Sequence, residues 1–129
     1  MNQYYLDYIW LDGSKSQQVR SKTKIVFAKS PDKIKLSNWN YDGSSTGQAE
    51  TSKSELILVP VSKYKNPFKP DAFLVMCEVY NVDMSPHWSN TRHNLQKMVD
   101  DNGISDDCMF GFEQEYIIYD RDTKKPLGW

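Results

Sequence analysis

Several features that would mark a special class of protein are scarce in this sequence of 129 residues. Its 2 cysteines show no CxxC spacing, which argues against a disulfide framework or a cysteine metal site. Its 16 basic and 17 acidic residues leave a net charge of −1, too little positive charge to favour nucleic acid or an anionic membrane. The first ten residues lack the basic start of a signal peptide, and no apolar run could span a bilayer. We therefore expect a cytoplasmic protein with no nucleic-acid or membrane partner.

Apolar patterning predicts four strands in the first part of the chain. Gln3–Asp12 and Gln18–Phe27 flank an Asp-Gly pair and are expected to form a hairpin. Glu55–Val61 and Ala72–Tyr80 are apolar runs typical of buried strands. The polar segment Ala28–Ser54 between these pairs is too long for an ordinary connection, so we expect a loop that is either functional or disordered.

The last third of the chain predicts one helix and one more strand. Ser89–Asn102 has apolar residues at helical spacing, and Gly103 is a typical helix stop. Met109–Asp120 is rich in aromatic and branched residues and predicts a strand. Cys77 and Cys108 lie beside apolar residues and are interpreted as reduced core residues. The chain contains no fixed-period repeat, and the two copies of Asp-Gly-Ser, at 12–14 and 42–44, are treated as coincidence.

The strongest chemical motif is Gly111-Phe-Glu-Gln-Glu-Tyr116 in the predicted last strand. Side chains alternate along a strand, so Glu113 and Glu115 would share one face with Cα atoms roughly 6.6 Å apart. Paired carboxylates suit Mg²⁺ or Mn²⁺, and metal ions can hold a transferring phosphoryl group. The alternative is a solvated strand face that carries two glutamates.

Two further segments could carry chemistry. The polar loop Asn38–Gln48 brings together one carboxylate, three hydroxyls and two glycines, which suits a small polar ligand but equally a solvated turn. Asn90-Thr-Arg-His93 lies at the predicted helix start, where Arg92 could meet an anion or form an ion pair on the surface. Arg92 and His93 in the first helical turn oppose the helix dipole, which indicates that they have other partners or that their placement is incidental.

Taken together and in order, these motifs resemble the N-terminal part of glutamine synthetases, particularly the eukaryotic type. The resemblance covers nearly the whole chain. The matching stretches are Tyr8–Gly13, Val19–Thr23, Trp39–Ala49, Ser54–Pro60, Asn66–Phe68, Leu74–Cys77, Asn90–His93, Gly111–Tyr116 and Pro126–Trp129.

The resemblance implies an α+β fold with a β-grasp domain at 1–84, followed at 85–129 by the first helix and strand of an α/β catalytic domain. It also implies a glutamate–ammonia ligase that uses ATP to form γ-glutamyl phosphate, from which ammonia displaces phosphate to give glutamine. Glutamate, ammonium and ATP would be its substrates, with Mg²⁺ or Mn²⁺ as cofactor. The enzyme would be a homo-oligomer whose active sites lie at subunit interfaces.

The resemblance implies roles for four residues. Glu113 and Glu115 would bind the divalent metals, Glu113 also as a cofactor ligand. The loop with Asp42 would reach the neighbouring subunit's active site and be ordered by that partner chain. There Asp42 would bind and deprotonate ammonium, with Ser45 as a second catalytic residue.

The sequence departs from the family after Gln48-Ala49, where Glu50-Thr-Ser-Lys53 replaces the usual residues. The family's other metal ligands, substrate-binding arginines and nucleotide pocket match nothing in these 129 residues, so the isolated chain is expected to be inactive. The alternative is a stand-alone β-grasp module that binds a protein partner without catalysis. Such a module would have no reason to keep both Glu113 and Glu115.

Overall fold

The structure is a computed structural model that describes residues 1–103 and 108–128. Within these ranges, five strands form a mixed sheet and one α-helix follows it. The elements are β1 (Asn2–Leu11), β2 (Val19–Ala28), β3 (Trp39–Asp42), β4 (Glu55–Lys65), β5 (Ala72–Tyr80) and α1 (Thr91–Asn102). The predicted α+β character is confirmed.

The order of the strands across the sheet is β2-β1-β5-β4-β3. β1 and β2 form the predicted antiparallel hairpin, from Asn2 opposite Ala28 to Leu11 opposite Val19. β1 lies parallel to β5 in the centre of the sheet, and β4 pairs antiparallel with both β5 and β3. The observed limits of β5 are those predicted, whereas β4 continues four residues beyond its predicted end at Val61.

One face of the sheet carries the hydrophobic core. Alternate residues of β1 point into it, because successive side chains of a strand lie on opposite faces. The residues that the three central strands contribute to the core cluster are Tyr4, Leu6, Tyr8, Trp10, Leu56, Leu58, Val75, Cys77 and Val79. Burial raises the pKa of the Cys77 thiol to about 12, so this cysteine is an inert core residue, as predicted.

The polar segment between β2 and β4 is better ordered than its composition predicts. It contains β3 and short 3-10 turns at Pro31–Lys33, Gly43–Thr46 and Thr51–Lys53. Buried Ile34 lies in the core cluster, and Trp39 packs edge-on against Tyr8 at a ring distance of 5.5 Å. A few apolar residues therefore hold the segment against the sheet.

Helix α1 confirms the predicted end signals. The Asn90 side chain accepts a hydrogen bond from the backbone N–H of His93 at 3.1 Å, and Gly103 ends the helix with a left-handed φ of 58°. The apolar stripe of the helix is exposed, however, with Leu95 and Met98 each 61% accessible. In the described residues, α1 is joined to the sheet chiefly through its first turn.

The predicted strand Met109–Asp120 is wrong for this chain. The structure shows irregular backbone from Cys108 to Ile118, followed by an isolated bridge between Tyr119 and Pro126. A strand needs a neighbour to satisfy its backbone groups, and no other described segment pairs with these residues. The prediction that Cys108 is a core residue is wrong for the same reason, since its segment is exposed.

No helical segment within 1–103 or 108–128 combines the length and the apolar character that a membrane crossing requires.

Candidate functional site

The best-defined candidate site is Asp42–Gly47 at the end of β3, which is named the catalytic loop because it carries both predicted catalytic residues. Asp42 begins its 3-10 turn, and Gly47 ends it with a left-handed φ of 67° that favours glycine. One oxygen of the Asp42 carboxylate, Oδ1, accepts bonds from the backbone N–H and the hydroxyl of Ser44, at 2.9 and 2.6 Å. The Asp42 side chain is exposed yet fixed in orientation.

The surroundings of Asp42 favour its charged form. The two bonds from Ser44, first the hydroxyl and then the backbone N–H, lower the pKa of the Asp42 carboxyl, and slight desolvation opposes them. The group is therefore ionised at neutral pH. An exposed, oriented carboxylate of this kind can bind a small cation.

Ser45 lies in the same turn and is also exposed. Its hydroxyl donates to the Asp42 backbone carbonyl at 2.9 Å, which ties the two predicted catalytic residues together. The structure thus brings Asp42 and Ser45 into one turn.

Hydrogen bonds within its own chain hold the catalytic loop. The Gly13 N–H, in the turn between β1 and β2, donates to the Thr46 carbonyl at 2.9 Å. The Gly43 N–H donates to the Ser54 carbonyl at 2.7 Å. These bonds attach both ends of the loop to neighbouring backbone before any partner is considered.

Three buried polar residues complete this support, and sequence reasoning did not single them out. Gln48, His87 and Ser89 are each about 95% buried. Gln48 Nε2 donates to Ser89 Oγ at 2.7 Å, and His87 Nε2 lies 2.8 Å from the Gln48 carbonyl. Partners 41 and 39 positions apart in the chain leave no periodic signal in the sequence.

The Asn90–His93 segment contacts the buried carboxylate of Glu78 in the sheet. Arg92 Nε lies 3.4 Å from Oε1 of Glu78 on β5, and His93 Nδ1 lies 3.9 Å from Oε2 of the same carboxylate. Tyr80 donates its hydroxyl proton to Glu78 Oε2 at 2.9 Å. Of the two interpretations of Arg92, the ion pair is the one observed. These contacts also explain why basic side chains are tolerated in the first turn of α1.

Glu113 and Glu115 are exposed on the irregular segment that follows Cys108. The strand geometry that would place both carboxylates on one face is not present. Carboxylate oxygens fit Mg²⁺ or Mn²⁺ chemically, but such ions need about six ligands. Within the described residues, no three His, Cys, Asp or Glu side chains converge as a metal site. These two glutamates could therefore supply only part of a metal site.

Comparison with known proteins agrees with the fold. A family described as the glutamine synthetase β-grasp domain matches residues 2–82. Over 125 residues, 95% of the chain, the sequence is 43% identical to glutamine synthetase root isozyme 2 of Zea mays, covering 34% of that protein. It is 42% identical to glutamine synthetase cytosolic isozyme 1-1 of Oryza sativa subsp. japonica, with coverage of 95% and 35%.

A chloroplastic glutamine synthetase of Chlamydomonas reinhardtii is 40% identical over 133 residues, which cover 95% of the chain and 35% of that protein. The chain thus spans about a third of the length of these curated relatives. The β-grasp match covers most of the described sheet and includes the catalytic loop. The chain belongs to the glutamine synthetase family and contains the β-grasp domain of that family.

Proposed function

We propose that residues 1–129 act as the N-terminal part of an ATP-dependent glutamate–ammonia ligase. In this reaction ATP phosphorylates the γ-carboxylate of glutamate, and ammonia displaces phosphate to give glutamine, ADP and phosphate. Residues 1–84 would be the β-grasp domain, and 85–129 would begin the catalytic domain. Identity of about 40% to glutamine synthetases along nearly the whole chain supports this assignment.

The observation that carries the proposal is the Asp42 carboxylate. It is exposed, ionised and held by Ser44 at the end of a strand, which suits electrostatic binding of ammonium. The same lowered pKa makes Asp42 a weak base, so its main contribution would be to bind ammonium. Because ammonium has no free electron pair, Asp42 would first take one proton from it; the ammonia so formed would then attack the acyl carbon of γ-glutamyl phosphate, release phosphate and lose a second proton. Ser45 would assist from the same turn.

The exposed tip of the catalytic loop also favours an active site shared between subunits. Asp42, Ser45 and Gly47 are accessible, whereas Gly43, Thr46 and Gln48 are buried against the sheet. The loop therefore presents its carboxylate outward from a fixed base. We propose that this surface meets a second subunit of a homo-oligomer, in which the loop of one subunit completes the active site of the next.

Glu113 and Glu115 are proposed as part of the divalent-metal site, with Glu113 also a ligand of the metal that accompanies ATP. Mg²⁺ or Mn²⁺ would neutralise phosphate charge there. Both side chains are exposed and have the oxygen chemistry these ions prefer. The remaining ligands would come from parts of the enzyme outside the described residues.

We further propose a cytosolic location. Two of the relatives compared above are named as root and cytosolic isozymes, although a third is named as chloroplastic.

The test is glutamine formation by the complete ligase that contains residues 1–129. Asp42→Ala should lower kcat/KM for ammonium by roughly 100-fold and leave ATP binding nearly unchanged. Asp83→Ala is the matched control. Asp83 is also exposed and accepts from the N–H and hydroxyl of a serine two residues later, at 2.9 and 2.6 Å, but it lies outside the catalytic loop.

Equal losses of ammonium use and ATP binding in Asp42→Ala would indicate a folding defect and contradict the assigned role. An unchanged kcat/KM for ammonium would also contradict it. The isolated 129-residue chain should form no glutamine under the same conditions, and measurable turnover would show that the chain needs no further residues. A complete protein that folds but never forms glutamine would favour the non-catalytic interaction module.

A further inference from the structure

The Gln48 side chain is the most heavily bonded group near the catalytic loop. Its Oε1 accepts from the hydroxyls of Tyr41 and Thr46, at 2.6 and 2.7 Å. Its Nε2 donates to the Leu11 carbonyl at 3.1 Å and to Ser89 Oγ at 2.7 Å. All four hydrogen-bonding positions of the amide are therefore used, inside a site where an unpaired polar group would be costly.

These bonds enclose the catalytic loop from both sides. Tyr41 immediately precedes Asp42, and Thr46 lies within the turn that follows it. The Thr46 hydroxyl also lies 3.0 Å from the Gly43 carbonyl, a longer contact than its 2.7 Å bond to Gln48 Oε1. One buried amide thus holds residues before and after Asp42, although Gln48 makes no bond to the Asp42 side chain.

His87 and Ser89 hold Gln48 from the other side. A carbonyl can only accept, so the 2.8 Å contact from His87 Nε2 to the Gln48 carbonyl assigns the proton to Nε2. Nδ1 then accepts from Ser89 Oγ at 2.8 Å, and Ser89 Oγ in turn accepts from Gln48 Nε2. The three hydrogen bonds among Gln48, His87 and Ser89 therefore have one consistent assignment of donors and acceptors.

We propose that Gln48, held by His87 and Ser89, is the positioning residue that fixes the catalytic loop. It does so by accepting hydrogen bonds from the side-chain hydroxyls of Tyr41 and Thr46, which lie on either side of Asp42. Because Ser89 lies just before α1, the network also links the position of Asp42 to the start of that helix. The consequence for ammonium binding rests on the proposed function, whereas the effect on the loop itself does not.

The first experiment measures backbone amide hydrogen exchange in the 129-residue chain. Ser89→Ala removes one link of the network. Ser89→Thr keeps the hydroxyl and is the matched control, since Ser89 lines a small cleft, together with Leu11 and Met76, that can take the added methyl group. The reporters are the amides of Gly43, Gln48 and Ala49, which donate to the Ser54 and Gly43 carbonyls. In Ser89→Ala, their exchange should accelerate about tenfold more than that of β5 amides, and Ser89→Thr should restore slow exchange.

Val75→Ala is the control for general destabilisation, since Val75 is fully buried in β5 and lies outside the network. It should raise amide exchange rates without a larger effect on the loop amides than on the β5 amides. Gln48→Met keeps the length of the side chain but removes all four bonds, so its effect should exceed that of Ser89→Ala. Equal acceleration of loop and β5 amides in Ser89→Ala would overturn the proposal.

The second experiment uses the complete ligase. Ser89→Ala should raise KM for ammonium several-fold and leave KM for ATP unchanged, with Ser89→Thr close to wild type. Parallel changes in both KM values would indicate a general defect and contradict a positioning role. If the wild-type ligase forms no glutamine, the proposed function fails while the exchange experiment still decides whether Gln48 fixes the loop.

Discussion

Two turns of this protein have the same three residues, Asp-Gly-Ser, and the same local hydrogen bonds. In the first, Asp12 Oδ1 accepts from the N–H and hydroxyl of Ser14, at 3.0 and 2.6 Å. In the second, Asp42 Oδ1 accepts from the N–H and hydroxyl of Ser44, at 2.9 and 2.6 Å. A short side chain that bonds the backbone two residues on is typical of such turns.

The surroundings of the two turns differ sharply. Asp12 is 4% exposed, accepts a further bond from the Gln18 N–H at 3.0 Å and lies 3.8 Å from Arg20. Asp42 is exposed. The same tripeptide therefore buries its aspartate in one place and exposes it in the other. Position in the fold, more than local sequence, decides whether the aspartate is structural or available to a ligand.

The two turns also touch, through the Gly13 N–H and the Thr46 carbonyl. Treating the repeated tripeptide as coincidence therefore missed a structural relation, because the first turn supports the second. This contact is what distinguishes the pair from the similar turn at Asp83, which lies on the other side of β5 in the chain.

The largest effect on stability is expected from breaking that contact with Gly13→Ala. A Cβ at Gly13 would overlap the backbone carbonyl of Gly47, which cannot move aside as a flexible side chain could. We expect a destabilisation of about 2 kcal/mol, measured by urea unfolding of the 129-residue chain.

Gly111→Ala is the matched control, since no heavy atom lies within 4 Å of the position its Cβ would take. It should unfold at nearly the wild-type urea concentration. If both variants unfold at the same concentration, the close approach of the two turns makes no contribution to stability.

The second-largest expected effect is the difference in thermal stability between variants of the two aspartates. Asp12→Ala should lower Tm by roughly 5 °C more than Asp42→Ala, because the Asp12 carboxylate is buried and accepts three hydrogen bonds, whereas the Asp42 carboxylate is exposed and accepts two. Equal Tm values for the two variants would show that burial does not separate the turns.

The sequence predicted strand limits well where turn residues bound an apolar run. Ala72–Tyr80 was placed with its observed limits because an apolar run between turn residues has few alternatives. The prediction failed at Met109–Asp120, since the same pattern forms a strand only where another strand pairs with it.

The candidate site, too, could be predicted from the sequence only in part. The motif around Asp42 is local and could be read from the sequence, as could the exposure of its polar residues. Gln48 and His87 could not, because they act through contacts between distant parts of the chain. A histidine without metal-ligand spacing gave no reason to expect a buried bond to the loop.

The smallest expected effect is on the pH dependence of stability. It distinguishes His87, which supports the second turn, from the aspartates of the two turns. Burial lowers the pKa of His87 from its ordinary value of 6.5, against the opposing bond to the Gln48 carbonyl. Above about pH 6.5, His87 is neutral in both folded and unfolded chains. Below it, the unfolded chain takes up a proton that the folded chain resists, so stability declines as pH falls.

Hydrogen bonds from serine lower the pKa values of Asp12 and Asp42 below their ordinary 3.8, so both turns keep their contribution to stability until the solution is more acidic than that. Between pH 6.5 and 5, the contribution of His87 is the part of the stability loss that disappears when His87 is replaced by a residue that does not titrate. We expect the decrease in Tm over this interval to be roughly 2 °C larger in wild type than in His87→Gln, whose amide can donate and accept but does not titrate. Identical decreases in scanning calorimetry would show that His87 does not connect pH to the support of the catalytic loop.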